Sequence, residues 1–165
     1  MCVASGLEHQ ACKVCGNRVV GQFASRRYLS DADKRRILAQ WRNAKRGDLC
    51  TGIGGQGFPD PDVIPWCDEI NMLDGVCTVQ SCAGHLGGQG GIASCGHLWL
   101  AMDRKRSAAF DSKAFGLSAQ AGIERVCRIY APWGQEIACI EFEGNERGRL
   151  AQSMHMIVSF LRSLG

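Results

Sequence analysis

At 165 residues, 45% of them hydrophobic, the chain has the size of one ordinary globular domain with room for a small appendage. No apolar run approaches the roughly 20 residues that a bilayer span requires. Glu8, His9 and Lys13 interrupt the N-terminus before a signal-type core can form. These features predict a soluble, cytoplasmic protein whose ten cysteines stay mostly reduced and serve metal binding, reactivity or burial. The formal charge of +3 conceals an asymmetry: residues 1–46 hold ten Lys or Arg against three Asp or Glu, and residues 47–103 hold neither Lys nor Arg. A basic front end on a mildly acidic body points to an anionic partner, nucleic acid among them, or to a solvated helix face.

The first segment carries Cys12-Lys-Val-Cys15-Gly16 followed by a short strand-like run. Two thiolates three residues apart can chelate one Zn²⁺, because the turn aims both sulfurs at one point and glycine lets the backbone curl round them. Cys2 and His9 stand upstream in Cys-x6-His-x2-Cys-x2-Cys order and complete a candidate tetrahedral set, with Cys50 a further candidate. The alternative is a pair of free thiols.

Ser30 reads as a helix N-cap with Asp33 three residues on. The expected helix runs to about Arg46 with an apolar stripe of Ile37, Leu38, Trp41 and Ala44, and with Arg35, Arg36, Arg42, Lys45 and Arg46 as a phosphate-binding face. The glycine-rich stretch 51–59 is the expected boundary, dividing a basic N-terminal segment (1–50) from a body (51–165).

In the body, Asp60 or Asp62 is the expected cap of a second helix, with Pro65 near its start and Asp74-Gly75 after its end. A strand VCTVQSC follows, then a glycine-rich loop, a strand HLWLAMD and a short helix around 106–115. Strands ERVCRIYA and QEIACIEFE are joined through Pro132-Trp133-Gly134, and burial best accounts for Cys127 and Cys139 within them. The last helix has a stripe of Leu150, Met154, Ile157, Val158 and Leu161, with Arg149, Gln152, His155, Ser159 and Arg162 facing away. The whole predicts an α+β fold: one sheet of about four strands covered by helices on one face, with a small N-terminal zinc-turn and helical appendage.

The strand that ends in Ser81-Cys82-Ala83-Gly84-His85 is the expected functional site. It offers a hydroxyl, a thiol and backbone N–H groups, and Gly84, Gly87, Gly88, Gly90 and Gly91 let a ligand approach the main chain. His97 and Asp103 are expected to complete a polar rim. Such a loop suits an anionic or planar polar ligand such as a nucleotide, a base or an adenosyl cofactor. Zinc held by Cys82, His85, Cys95 and His97 is the weaker alternative, since Cys82 and His85 straddle a strand end while Cys95 and His97 share one strand face. A Cys82 nucleophile with His85 or His97 as base, and a hairpin loop without a ligand, are the others. Gly-Gly-Gln occurs at 54–56 and again at 87–89, which two glycine-rich loops explain.

The stretch DPDVIPWCDEINMLDGVCTVQSCAGH resembles the tRNA wybutosine-synthesis methyltransferase family: a helix, Asn-Met-x-Asp, a strand and Ser-Cys-x-Gly. Ser81, Cys82 and Gly84 match the family's motif, and Trp99 matches its next strand, over roughly residues 60–105. His85 stands where the family has arginine, and Asp103-Arg104 where it has a histidine. The resemblance implies S-adenosylmethionine as methyl donor and a tRNA base as substrate. Two functions follow: a tRNA-directed methyltransferase held on its substrate by the basic helix, or a non-catalytic module that captures a nucleotide or small signalling molecule.

Overall fold

The computed structural model describes residues 28–45, 61–84, 95–130, 136–144 and 147–165. The expected zinc ligands Cys2, His9, Cys12 and Cys15, and the glycine loop with His85, lie outside the described residues.

Four antiparallel strands form one sheet in the order β1-β2-β4-β3: β1 Val76–Cys82, β2 Gly96–Met102, β3 Ile123–Tyr130 and β4 Glu136–Phe142. On one face Leu98, Leu100, Ala138, Ile140 and Phe142 are fully buried beneath helices α2 (Ile64–Met72), α3 (Arg104–Ser118) and α4 (Arg147–Arg162). The stripe Leu150, Met154, Ile157, Val158 and Leu161 of α4 is buried there as its spacing predicts. Each such aliphatic side chain contributes on the order of 1.5–3 kcal/mol by leaving water. The fold is α+β.

Two helices differ from expectation at their ends. Helix α2 has Val63, not Asp62, at its N-cap, with no side-chain cap and Pro65 in the first turn, where a missing N–H costs nothing. Helix α3 is longer than the stretch 106–115, because Asp103 accepts from the Arg106 N–H at 2.7 Å and starts the helix directly after β2. Its buried positions include Arg106, whose guanidinium donates to the Leu161 carbonyl at 2.6 Å and so satisfies the last turn of α4.

Helix α1 (Asp31–Lys45) begins with the expected cap, Ser30 Oγ accepting from Asp33 N–H at 3.1 Å. It packs against the sheet and α2. Ile37 joins Leu29, Cys77, Val79, Ala101 and Ile137 on the second face of the sheet, while Trp41 joins the three-helix core. Thus α1 straddles the sheet margin at β1. Leu29 N–H donates to Met102 O at 2.8 Å, Trp41 Nε1 donates to Asp68 Oδ1 at 2.6 Å, and Lys34 Nζ donates to Leu73 O. Ile37 of α1 thus reaches the second face of the sheet, which the expectation of helices on one face left uncovered. Among the described residues no helix is long and apolar enough to cross a membrane.

Candidate functional site

The site begins with an irregularity in β1. Cys77 pairs with Ala101 and Thr78 with Leu100, but Gln80 pairs with Trp99, so Val79 is an extra residue in a β-bulge. Without the bulge, strict alternation would put Gln80 and Cys82 in the three-helix core. With it, both share a face with Val79 and Trp99, on the α1 side, and Ser81 opposes Leu98 in the core. Ser81 and Cys82, expected to line one pocket, therefore lie on opposite faces, both buried.

Register then assembles two cross-strand rows on the α1 side. Cys82 opposes His97, His97 opposes Glu141, and Glu141 opposes Arg125. One level along, Gln80 opposes Trp99, Trp99 opposes Cys139, and Cys139 opposes Cys127. Directly opposed residues carry Cβ atoms about 4.5–5.5 Å apart, so neighbours in each row are within side-chain reach. The His97 and Trp99 rings tilt towards each other with centroids 6.1 Å apart. Arg125 holds Glu141 through both carboxylate oxygens, Nε to Oε2 at 2.8 Å, and that hydrogen bond raises the guanidinium pKa. Gln80 is buried, and its Oε1 has no hydrogen-bond partner among the described residues.

Glycines close the same end of the sheet. Gly84 turns the chain out of β1 at φ 85°, in the left-handed region that a side chain disfavours. A Cβ on Gly144 would stand 1.7 Å from the Ala83 carbonyl oxygen, so the chain leaving β4 crosses directly over the motif. On the core side, Asn71 ties α2 to β1: its Oδ1 accepts from Thr78 N–H at 2.8 Å and from Thr78 Oγ1 at 3.0 Å.

Of the expected rim residues, His97 belongs here and Asp103 does not. Asp103 follows Met102, which pairs with Val76 at the opposite end of the ladder from Cys82 and His97. It caps α3 and its N–H donates to the Gly75 carbonyl at 2.8 Å, which makes it structural. Arg35, Arg36 and Arg42 of α1 are exposed, Arg36 pairing with Asp33 at 3.1 Å, whereas the Lys45 side chain and Arg46 lie outside the described residues. Among the described residues no group of three His, Cys, Asp or Glu is disposed to hold a metal. Sequence reasoning missed Gln80, Glu141 and Arg125. Their signal was faint: polar residues at alternate positions of strands otherwise rich in Val, Ile and Cys.

A thiol, an imidazole and an ion-paired carboxylate thus share one level, with an amide and an indole beside them. An indole and an amide suit a planar heterocycle; an imidazole can take or give a proton near neutral pH.

No family model matches the chain, and no curated protein matches it. Among solved structures it is similar to the PH1069 protein of Pyrococcus horikoshii, at 13% identity and a TM-score of 0.52, over 81% of this chain and 94% of that one. The likeness is one of fold.

Proposed function

We propose that this chain is a nucleotide- or RNA-binding protein of the kind that methylates a tRNA base with S-adenosylmethionine, its ligand lying at the end of β1 and β2. The observation that carries this proposal is the placing of Ser81-Cys82-Ala83-Gly84 at a strand end, with Gly84 in a left-handed turn and Cys82 level with His97. The glycine-lined strand end and the orphaned Gln80 Oε1 fit a planar polar ligand. Bound there, S-adenosylmethionine supplies a methyl group. Gln80 reads the edge of the heterocycle, Trp99 stacks on it, and His97 accepts the proton lost by the methylated nitrogen. The exposed Arg35, Arg36 and Arg42 of α1 engage phosphates, and a zinc turn at Cys12 and Cys15, with Cys2 and His9, braces the basic segment.

One observation favours the non-catalytic alternative. Both carboxylate oxygens of Glu141 are engaged by Arg125, so the carboxylate that opposes His97 is committed to an ion pair. Calorimetry with S-adenosylmethionine, S-adenosylhomocysteine and common nucleotides, paired with a methyl-transfer assay on tRNA, decides between them. Binding with transfer supports the enzyme; nucleotide binding without transfer supports the module; no binding to any of them overturns both. Zinc analysis adds a separate check: about one equivalent in the full chain, lost in Cys12→Ser, is expected.

A further inference from the structure

Cys127 of β3 and Cys139 of β4 face each other directly in the antiparallel register, and both are free thiols. Opposed positions have Cα atoms about 4.5–5.5 Å apart, inside the range that a disulfide spans. The Cβ spacing of about 4.5–5.5 Å is slightly wider than the roughly 3.5–4.5 Å a disulfide prefers. Closing the bond therefore draws two strands together and stores strain, which makes it easy to reduce again. Such a pair suits a reversible couple better than a permanent staple.

The two thiols are not equivalent. Cys127 is half-buried, whereas Cys139 is 2% exposed, and burial followed by the adjoining Cys127 pushes the Cys139 thiol pKa up. Arg125 lowers the Cys139 thiol pKa by less than its ion-pair partner Glu141 raises it. Cys77 and Cys82 are buried as well, but across the ladder they oppose Ala101 and His97.

We propose that Cys127 and Cys139 form a thiol–disulfide exchange site for low-molecular-weight disulfides of the glutathione class. The Cys127 thiolate attacks one sulfur of glutathione disulfide, forming a mixed disulfide and expelling one glutathione thiolate. The Cys139 thiol then attacks Cys127 Sγ as its proton passes to the departing sulfur, closing the cross-strand disulfide and expelling the second glutathione as a thiol. Two cysteine thiols are oxidised by two electrons, one disulfide is reduced to two thiols, and the two cysteine protons leave on the glutathiones. Because Trp99 opposes Cys139, the event takes place beside the indole.

The test incubates the full chain with increasing glutathione disulfide, traps free thiols by alkylation, and maps the peptides. A linked Cys127–Cys139 peptide that dithiothreitol reverses is expected, with a matching change in Trp99 fluorescence that Trp99→Phe removes. Cys139→Ser should accumulate glutathione on Cys127, and Cys127→Ser should lose both products. Recovery of both cysteines alkylated at concentrations that oxidise other cysteines of the chain overturns the proposal, as does Cys127 paired elsewhere. The mapping needs only the unaltered chain, so an unstable variant leaves it decisive.

Discussion

Gln80 and Trp99 stand opposite each other across β1 and β2, although alternation counted from Cys77 would turn Gln80 into the three-helix core. The bulge at Val79 makes that pairing and buries an amide oxygen without a partner among the described residues. A buried acceptor left unsatisfied costs about 1–3 kcal/mol, which an apolar side chain of similar shape avoids. Gln80→Met should therefore raise the thermal midpoint while weakening the binding of nucleotide or adenosyl ligand. A lower midpoint, or unchanged affinity by calorimetry, would remove Gln80 from the site.

Gly84 holds φ at 85° at the exit of β1. A β-branched side chain there costs on the order of 1–3 kcal/mol in backbone strain and crowds any ligand that approaches the main chain. Gly84→Val should abolish ligand binding and lower stability by that amount with the circular dichroism spectrum retained. Wild-type affinity would place the ligand elsewhere.

If α1 follows an RNA backbone, replacing Arg35, Arg36 and Arg42 together with Ala should weaken tRNA binding. The slope of log K against log salt should become shallower by about 2–3 units. An unchanged affinity and slope would mark the arginines as a solvated face.

The Cys77 thiol gives a prediction about alkaline pH. Burial, the largest effect on it, pushes its pKa from 9.0 to about 12, against a smaller lowering by Lys34. The raised folded value means that its stabilising effect is complete below the unfolded pKa and falls as pH rises from about 9 towards 12, because the unfolded chain ionises first. Urea titrations across that window should show the decline, and Cys77→Ala should flatten it whatever its cost at neutral pH.

The sheet and α4 were legible because their apolar positions recur at the periods of a strand and a helix. Helix α3 was only half legible: RKRSAAFDSKAFGLS spreads Phe110 and Leu117 among polar residues, and the buried Arg106 reads as surface. The packing of α1 depends on Ile37 and Trp41 meeting partners far along the chain, which local periodicity does not encode. The bulge was hidden for another reason. Val79 is as good a strand former as its neighbours, so nothing in VCTVQSC marks the residue after which the faces exchange, and Ser81 and Cys82 looked like companions. Asp103 was misplaced because a carboxylate before a helix serves equally as a cap or as a ligand rim, and only the ladder register tells the two ends of β2 apart.

The straddling position of α1 bears on how the chain can be shortened. β1 is a marginal strand, and the Asn71 side chain already occupies one of its amides. A fragment starting at residue 51 would bare Cys77 and Val79 and open the outer rim of β1 to strands of other molecules. Clearing the basic segment to isolate the body would thus invite aggregation, and self-association of such a fragment would reflect the loss of a guard rather than a native oligomer.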